Sequence, residues 1–276
     1  LRVYPDGEAR ALARWLFEER FGFSTADLLL DKDNHLSADD RANLQEITFG
    51  LCSGEPSQYL MGHTHFGGRC FCVGPGALIP RPETAELVGH IVRAVSETPG
   101  GGSGNGLSVL DIGTGSGCIA LSLALDIPGA EVTAWDISPE ALAVARRNGA
   151  LYPEAKVTFS RADILSPPAT GQCWDIIVSN PPYVRQCEAR DMERNVLEHE
   201  PHTALFVPDD NPLLFYRAVA GFARSHLTAG GWLWFEINQY LSSETARLID
   251  DFGFRDVQIR EDGFGLPRFV QGRMAD

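Results

Sequence analysis

Residues 107–125 hold the stretch that leaves this chain the fewest folding options. Leu107-Ser108-Val109-Leu110-Asp111-Ile112 reads as a buried strand, Gly113-Thr114-Gly115-Ser116-Gly117 as a turn, and Cys118 to Leu125 as an apolar helix. Glycines at a strand-to-helix turn let a ligand come close to the backbone and leave free N–H groups facing it. The G-x-G-x-G pattern alone also serves nucleotide-binding folds. What adds weight is that the alternation repeats. Strands are expected at Glu131–Asp136, Lys156–Ser160, Trp174–Ser179 and Gly231–Ile237, and helices from Ser138 to Asn148, Asn211 to Leu227 and Ser242 to Phe252. Two further strand candidates follow, Arg255–Arg260 and Arg268–Gly272. Such alternation implies an α/β fold, a largely parallel sheet with helices on both faces. Ligands of these sheets bind outside the carboxyl ends of the strands. Asp111, Asp136, Asp163 and Asn180 all fall at such ends.

The strand ending at Asp136 places an acid ~20 residues beyond the glycines, where a carboxylate can accept from a ribose diol. No Gly-Lys-[Ser/Thr] follows the loop, which argues against a triphosphate site. Cys118 and Ile119 follow Gly117, so the G-x-G-x-x-G spacing of dinucleotide folds is also missing. A cofactor with a ribose but no phosphate, S-adenosylmethionine, fits both observations. Asp163 could accept from an adenine amino group, and Ile164 could pack on the ring.

Asn180-Pro181-Pro182-Tyr183 closes the strand Trp174–Ser179. It sets a side-chain amide, a carbonyl followed by no N–H, and an aromatic ring at one point. That set suits a planar NH2 on an electron-poor carbon. Asn180 Oδ1 and the Pro181 C=O can each accept one hydrogen while the Tyr183 ring covers the flat face. Such a nitrogen is a poor nucleophile because its lone pair is delocalised. Two acceptors that draw it toward tetrahedral geometry favour the transition state over the ground state. The plain alternative is a proline turn closing a strand.

These motifs resemble the class I methyltransferases that act on a glutamine side-chain nitrogen, and more specifically the release-factor glutamine methyltransferases (HemK/PrmC-like). The segments that carry the resemblance are Asp111 to Gly117, Asp136-Ile137-Ser138, Asn180 to Tyr183 and Leu78-Ile79-Pro80-Arg81-Pro82-Glu83-Thr84. Gly54 to Leu60, Glu200-Pro201 with Ala204-Leu205, and Gly265-Leu266-Pro267-Arg268 extend it over nearly the whole chain. The resemblance implies a Rossmann-like methyltransferase sheet. Its activity would be transfer of methyl from S-adenosyl-L-methionine to glutamine N5 in the Gly-Gly-Gln loop of a peptide-chain release factor. S-adenosyl-L-homocysteine would be the product. Asp111, Gly113, Thr114, Gly115, Ser116, Gly117, Asp136, Asp163, Ile164 and Asn180 are expected at the cofactor. Asn180, Pro181, Pro182 and Tyr183 are expected at the substrate, with Asn180, Pro181 and Tyr183 serving the chemistry. Ala85, Leu51 and Asn238-Gln239 depart from the pattern, the last pair replacing a Gly-containing turn.

Composition bounds the alternatives. The 276 residues carry a net charge of −14, with 44% hydrophobic and 22% charged residues. An acidic chain opposes a large nucleic-acid footprint. That weighs against adenine N6-methylation of nucleic acid, which presents the same donor geometry; a ribosomal-protein glutamine is the nearer rival substrate. A non-catalytic cofactor-binding scaffold is a third reading, disfavoured because every chemical position is filled. No membrane span and no metal site are expected. Neither Cys70-x-Cys72 nor His63-x-His65 brings a full ligand set. The six cysteines read as reduced core thiols of a cytoplasmic protein.

The chain is expected to divide near residue 75, into 1–75 and 76–276. Ala9, Leu12, Ala13, Leu16 and Phe17 recur with helical period, and Ser24-x-x-Asp27 and Ser37-x-x-Asp40 look like N-caps of two more helices. This small helical bundle is either a stabilising lid or a docking platform for a protein substrate. His63–Phe66 and Arg69–Val73 around Gly67-Gly68 read as a β-hairpin joining the parts. A helix opening in Pro80–Thr84 runs on through Leu87, Ile91 and Val95. Gly100 to Gly106 reads as a flexible connector.

Overall fold

The computed structural model describes residues 4–29, 36–98 and 106–275. The expected connector, Gly106 apart, lies outside the described residues.

Two compact units emerge, residues 1–62 with 193–199, and residues 63–192 with 200–276. In the smaller unit, α1 (Asp6–Phe21) stops at Gly22, whose φ of 69° suits a residue without a Cβ. Helix α2 (Thr25–Leu29) opens on a reciprocal cap: Ser24 Oγ accepts from the Asp27 N–H at 3.2 Å, and Asp27 Oδ2 accepts from the Ser24 N–H at 3.1 Å. Ser37 and Asp40 repeat that box at the start of α3 (Ala38–Cys52). Both caps were expected from the sequence. Helix α4 (Ser57–Met61) and α8 (Arg194–His199) complete the unit.

The larger unit begins with the hairpin β1 (His63–Phe66) and β2 (Arg69–Cys72), then α5 (Pro82–Glu97). There follow β3 (Ser108–Ile112), α6 (Cys118–Asp126), β4 (Glu131–Asp136), α7 (Pro139–Leu151), β5 (Val157–Arg161) and β6 (Trp174–Ser179). After a short β7 (Val184–Arg185), α9 (His202–Leu205) and β8 (Phe206–Val207) come α10 (Leu214–His226), β9 (Leu227–Glu236), α11 (Ser242–Asp251), β10 (Arg255–Glu261) and β11 (Pro267–Arg273). Seven strands form one sheet in the order β10-β11-β9-β6-β3-β4-β5, antiparallel only where β11 meets its two neighbours.

Strand periodicity explains the two layers. Val109, Val132, Ala134, Ile176 and Val178 pack with Leu87 and Ile91 of α5 and Ile119 and Leu123 of α6. Their neighbours Leu110, Ile112, Ile177, Leu233 and Phe235 face the other way, onto Tyr216, Val219 and Phe222 of α10 and Leu248 and Ile249 of α11. Each fully buried aliphatic side chain contributes about 1.5–3 kcal/mol, so both faces are strongly specified. The chain runs from β3 outward through β4 and β5, then returns to β6 on the other flank of β3. That reversal makes the carboxyl ends of β3 and β6 the topological switch point.

The hairpin belongs to the larger unit, so the division falls at Gly62/His63 and not near residue 75. Packing is the reason. Phe66 and Phe71 lie in the sheet's core, and Asn148 of α7 acts like a neighbouring strand for Cys72. It accepts from the Cys72 N–H at 2.7 Å and donates to the Cys72 C=O at 3.0 Å. Strand β9 also starts earlier than expected, at Leu227. Trp174 pairs with Leu227, and the ladder then slips before Ile176 pairs with Trp232. Gly230, at φ 71°, and Gly231, whose missing Cβ would stand 3.0 Å from the Asp175 C=O, accommodate that irregularity. Of the cysteines, only Cys118 is a core thiol. Cys52, Cys70, Cys173 and Cys187 are at the surface and Cys72 is intermediate, against the expectation of buried thiols. Among the described residues, no helix is long and apolar enough to cross a membrane.

Candidate active site

A cavity of about 400 Å³ lies at the carboxyl ends of β3, β4 and β6. Its wall includes Gly113, Thr114, Gly115, Ser116, Asp136, Asp163, Ile164, Asn180, Pro181 and Pro182. Three residues expected at the site stand outside that lining: Asp111, Gly117 and Tyr183.

The glycine loop is built differently from the expected ring of free donors. Gly113, Gly115 and Gly117 all take positive φ, at 76°, 56° and 81°. The curled backbone turns its N–H groups into the protein. Gly113 and Thr114 both donate to the Trp135 C=O, at 2.8 and 2.9 Å, and Gly117 donates to the Thr114 C=O at 2.8 Å. The Gly115 N–H donates to Asp136 Oδ2 at 2.8 Å. The loop is therefore stapled to the end of β4, and the glycines serve close approach more than anion binding. Gly117 serves packing: a Cβ there would meet Ala145 Cβ and Phe159 Cε1, each at 3.2 Å.

The carboxylates at the strand ends divide by burial. Asp136 faces the cavity, and Oδ1 accepts from the Ser138 N–H at 2.9 Å while Oδ2 holds Gly115. Burial raises its pKa, opposed by those backbone hydrogen bonds. Each oxygen keeps acceptor capacity beyond its one backbone donor. Asp163 accepts from the Leu165 N–H through Oδ1 at 2.9 Å. Asp111 sits beneath the loop, fully buried. Its Oδ2 accepts from Thr114 Oγ1 at 2.6 Å and its Oδ1 has no hydrogen-bond partner. Burial pushes this carboxyl up to about 7 against the Thr114 hydrogen bond. Asp111 thus positions the loop from below.

Asn180 is held by Thr84, the last residue of the segment Leu78–Thr84, and through it by Glu236. Its Nδ2 donates to Thr84 Oγ1 at 3.3 Å, and Thr84 donates to Glu236 Oε2 at 2.6 Å. Tyr183, expected to cover the face of a substrate amide, has its hydroxyl donating to Glu236 Oε1 at 3.1 Å. Burial, then the neighbouring Glu236, raises the Tyr183 phenol, keeping it a donor. Burial likewise raises Glu236, opposed by the Thr84 and Tyr183 hydrogen bonds. Nothing local in the sequence pairs Thr84 with Glu236, because they lie on different elements and 152 residues apart.

A second wall forms in the same way. Ile79, Pro80 and Arg81 line the cavity, and the buried Glu200 fixes them. Its Oε2 accepts from the Ile79 N–H at 3.0 Å and its Oε1 pairs with Arg81. The strand-end Asn238, where a glycine was the expected pattern, has φ −66° and needs no glycine. Its Nδ2 donates to the Tyr183 C=O and to Glu188 Oε2, both at 3.1 Å.

Residues 1–62 match the PrmC N-terminal domain, and residues 100–203 match the methyltransferase small domain. A solved T. thermophilus 16S rRNA methyltransferase in complex with AdoMet and guanosine shares the fold, with a TM-score of 0.54 at 18% identity over 77% of this chain and 49% of that one. The release factor glutamine methyltransferase of Bacteroides thetaiotaomicron is 48% identical over 97% of this chain and 94% of its own length. That of Flavobacterium psychrophilum is 41% identical over 98% and 93%. Similarity of that extent settles the family: the chain belongs to the release factor glutamine methyltransferases.

Proposed function

We propose that this protein transfers a methyl group from S-adenosyl-L-methionine to glutamine N5 in the Gly-Gly-Gln loop of a peptide-chain release factor, leaving S-adenosyl-L-homocysteine. The observation that carries the reading is one cavity with Asp136 and the Asn180-Pro181 pair on its wall. The names of the relatives support the substrate class.

The residues present fit the cofactor. Asp136 keeps acceptor capacity for a ribose diol beyond its two backbone partners. Ile137 and Leu165 line the same cavity yet are 52% and 47% exposed, apolar surface that a flat ring would cover. When bound, S-adenosylmethionine supplies a methyl group on a sulfonium sulfur. The chain's own part is to hold the amide. Asn180 Oδ1 and the Pro181 C=O accept from the two hydrogens of the substrate NH2 and draw the nitrogen out of conjugation. Once alkylated, that nitrogen is strongly acidic and loses a proton to water. Glycines beside the glutamine allow the close backbone approach that a narrow site requires.

Incubation with labelled S-adenosylmethionine and purified release factors, ribosomes or DNA, followed by mass spectrometry, tests the reading. Label on the Gly-Gly-Gln glutamine is expected; label only on a ribosomal protein or on adenine would overturn it. The unit formed by residues 1–62 with 193–199 is proposed to dock the protein substrate. Deleting residues 1–62 should slow methylation of intact release factor far more than that of a short Gly-Gly-Gln peptide. Equal slowing of both substrates would leave only a stabilising role.

A further inference from the structure

We infer that Thr84 is a positioning residue that fixes which end of the Asn180 amide meets the substrate, with Glu236 setting its polarity. The inference rests on the glutamine-methylation reading and deepens it.

Counting protons at Thr84 fixes the orientation of the amide. An Asn side chain presents an acceptor oxygen or a donor NH2, and rotating the amide by half a turn exchanges them. Only the oxygen can accept from a substrate NH2; a reversed amide would set donor against donor. Something must therefore choose the orientation. Thr84 has one hydroxyl proton, and it goes to Glu236 Oε2 at 2.6 Å. The Thr84 oxygen is left able only to accept, and Asn180 Nδ2 donates to it at 3.3 Å. With its nitrogen committed, Asn180 presents Oδ1 elsewhere. Tyr183 donates to the other oxygen of Glu236 at 3.1 Å, so Glu236 accepts on both sides. Thr84 and Glu236 are 3% and 2% exposed, so water does not compete for these bonds. Thr84 also lines the cavity beside Asn180, whereas Glu236 stands behind it.

Isosteric substitutions separate this role from packing. Thr84→Val keeps the shape but removes acceptor and donor together, while Thr84→Ser keeps both. With saturating S-adenosylmethionine and a release-factor substrate, single-turnover methylation should fall ~10–100-fold in Thr84→Val, the scale of a misplaced reactive group. Thr84→Ser should stay within about threefold of the wild type, because its hydroxyl rebuilds the relay. Cofactor Kd should be unchanged in both. In the double variant Thr84→Val/Asn180→Ala, the rate should equal that of Asn180→Ala alone, since the relay has nothing left to orient.

Four outcomes overturn the inference: an unchanged rate in Thr84→Val, a loss in Thr84→Ser as large as in Thr84→Val, losses that multiply in the double variant, or weakened cofactor binding that tracks the rate. Each leaves the functional reading intact, because the wild type still methylates glutamine. A wild-type protein that methylates no glutamine overturns both, before any variant is made.

Discussion

The two halves of the cavity are made of different materials. On the side of β3 and β4 the construction is backbone: three glycines at positive φ, a doubled acceptor at the Trp135 C=O, and Asp136 clamping Gly115 and Ser138. On the side of β6 it is side chain: Asn180, Thr84, Glu236 and Tyr183, from three separated parts of the chain. A backbone cradle recognises a ligand by shape and tolerates many side chains. A side-chain relay recognises by donor and acceptor count, and one wrong partner reverses it. The difference predicts where substitutions reduce binding and where they reduce rate.

The largest expected effect lies on the side-chain half. Asn180→Ala should lower single-turnover methylation by ~10²–10³-fold, as when other preorganised transition-state contacts are removed. Cofactor affinity by calorimetry should hardly change. A near-wild-type rate would show that the two halves do not divide labour in this way.

Next comes the backbone half. Asp136→Ala should weaken S-adenosylmethionine by ~1.5–3 kcal/mol, the scale of hydrogen bonds to a charged group. Saturating cofactor should restore much of the rate. If the rate stays depressed at saturation, the carboxylate is acting in the chemical step and the comparison blurs.

A smaller pair of effects sharpens the cradle itself. Gly117→Ala should cost about 2 kcal/mol of unfolding free energy, from the positive φ and from crowding Ala145 and Phe159. Gly115→Ala meets nothing within 4 Å and should cost about 1 kcal/mol, the conformational part alone. Urea denaturation measures both. Equal costs would mean that the packing seen at Gly117 relaxes freely.

The smallest change is expected at Asn238. Asn238→Gly deletes its bonds to the Tyr183 C=O and Glu188, worth about 1 kcal/mol. Cofactor affinity should not move. A large fall in rate instead would extend the relay beyond Glu236.

The same contrast explains what could be read from the sequence. The cradle is local: strand, glycines and helix occupy residues 107–126, and its acid closes the next strand. Composition and period therefore announce it, and the lining residues Gly113 to Ser116, Asp136 and Asp163 were legible beforehand. The direction of its N–H groups was not, since they bond to Trp135 and Asp136 across a strand gap. The relay is non-local. Asn180 and Thr84 are 96 residues apart, and no pattern in one segment reveals a partner in the other. The partner of Tyr183 was hidden for the same reason: its hydroxyl donates to Glu236, 53 residues further along the chain. The hairpin was recognised as a hairpin, yet its allegiance depended on Asn148, 76 residues from Cys72.

Strand order also imposes a sequence of assembly during synthesis. Strands β3, β4 and β5 are neighbours both in the chain and in the sheet, so their pairing closes short loops and needs nothing downstream. Strand β6 must return across them to reach β3, and β9, which carries Glu236, docks against β6 only when it emerges later still. A nascent chain that has passed β5 already contains the glycine loop, Asp136 and Asp163. It acquires Asn180 next, and the group that sets the Thr84 proton last. No length of chain that stops short of β9 can therefore orient the amide, because Glu236 is the last of its groups to be made.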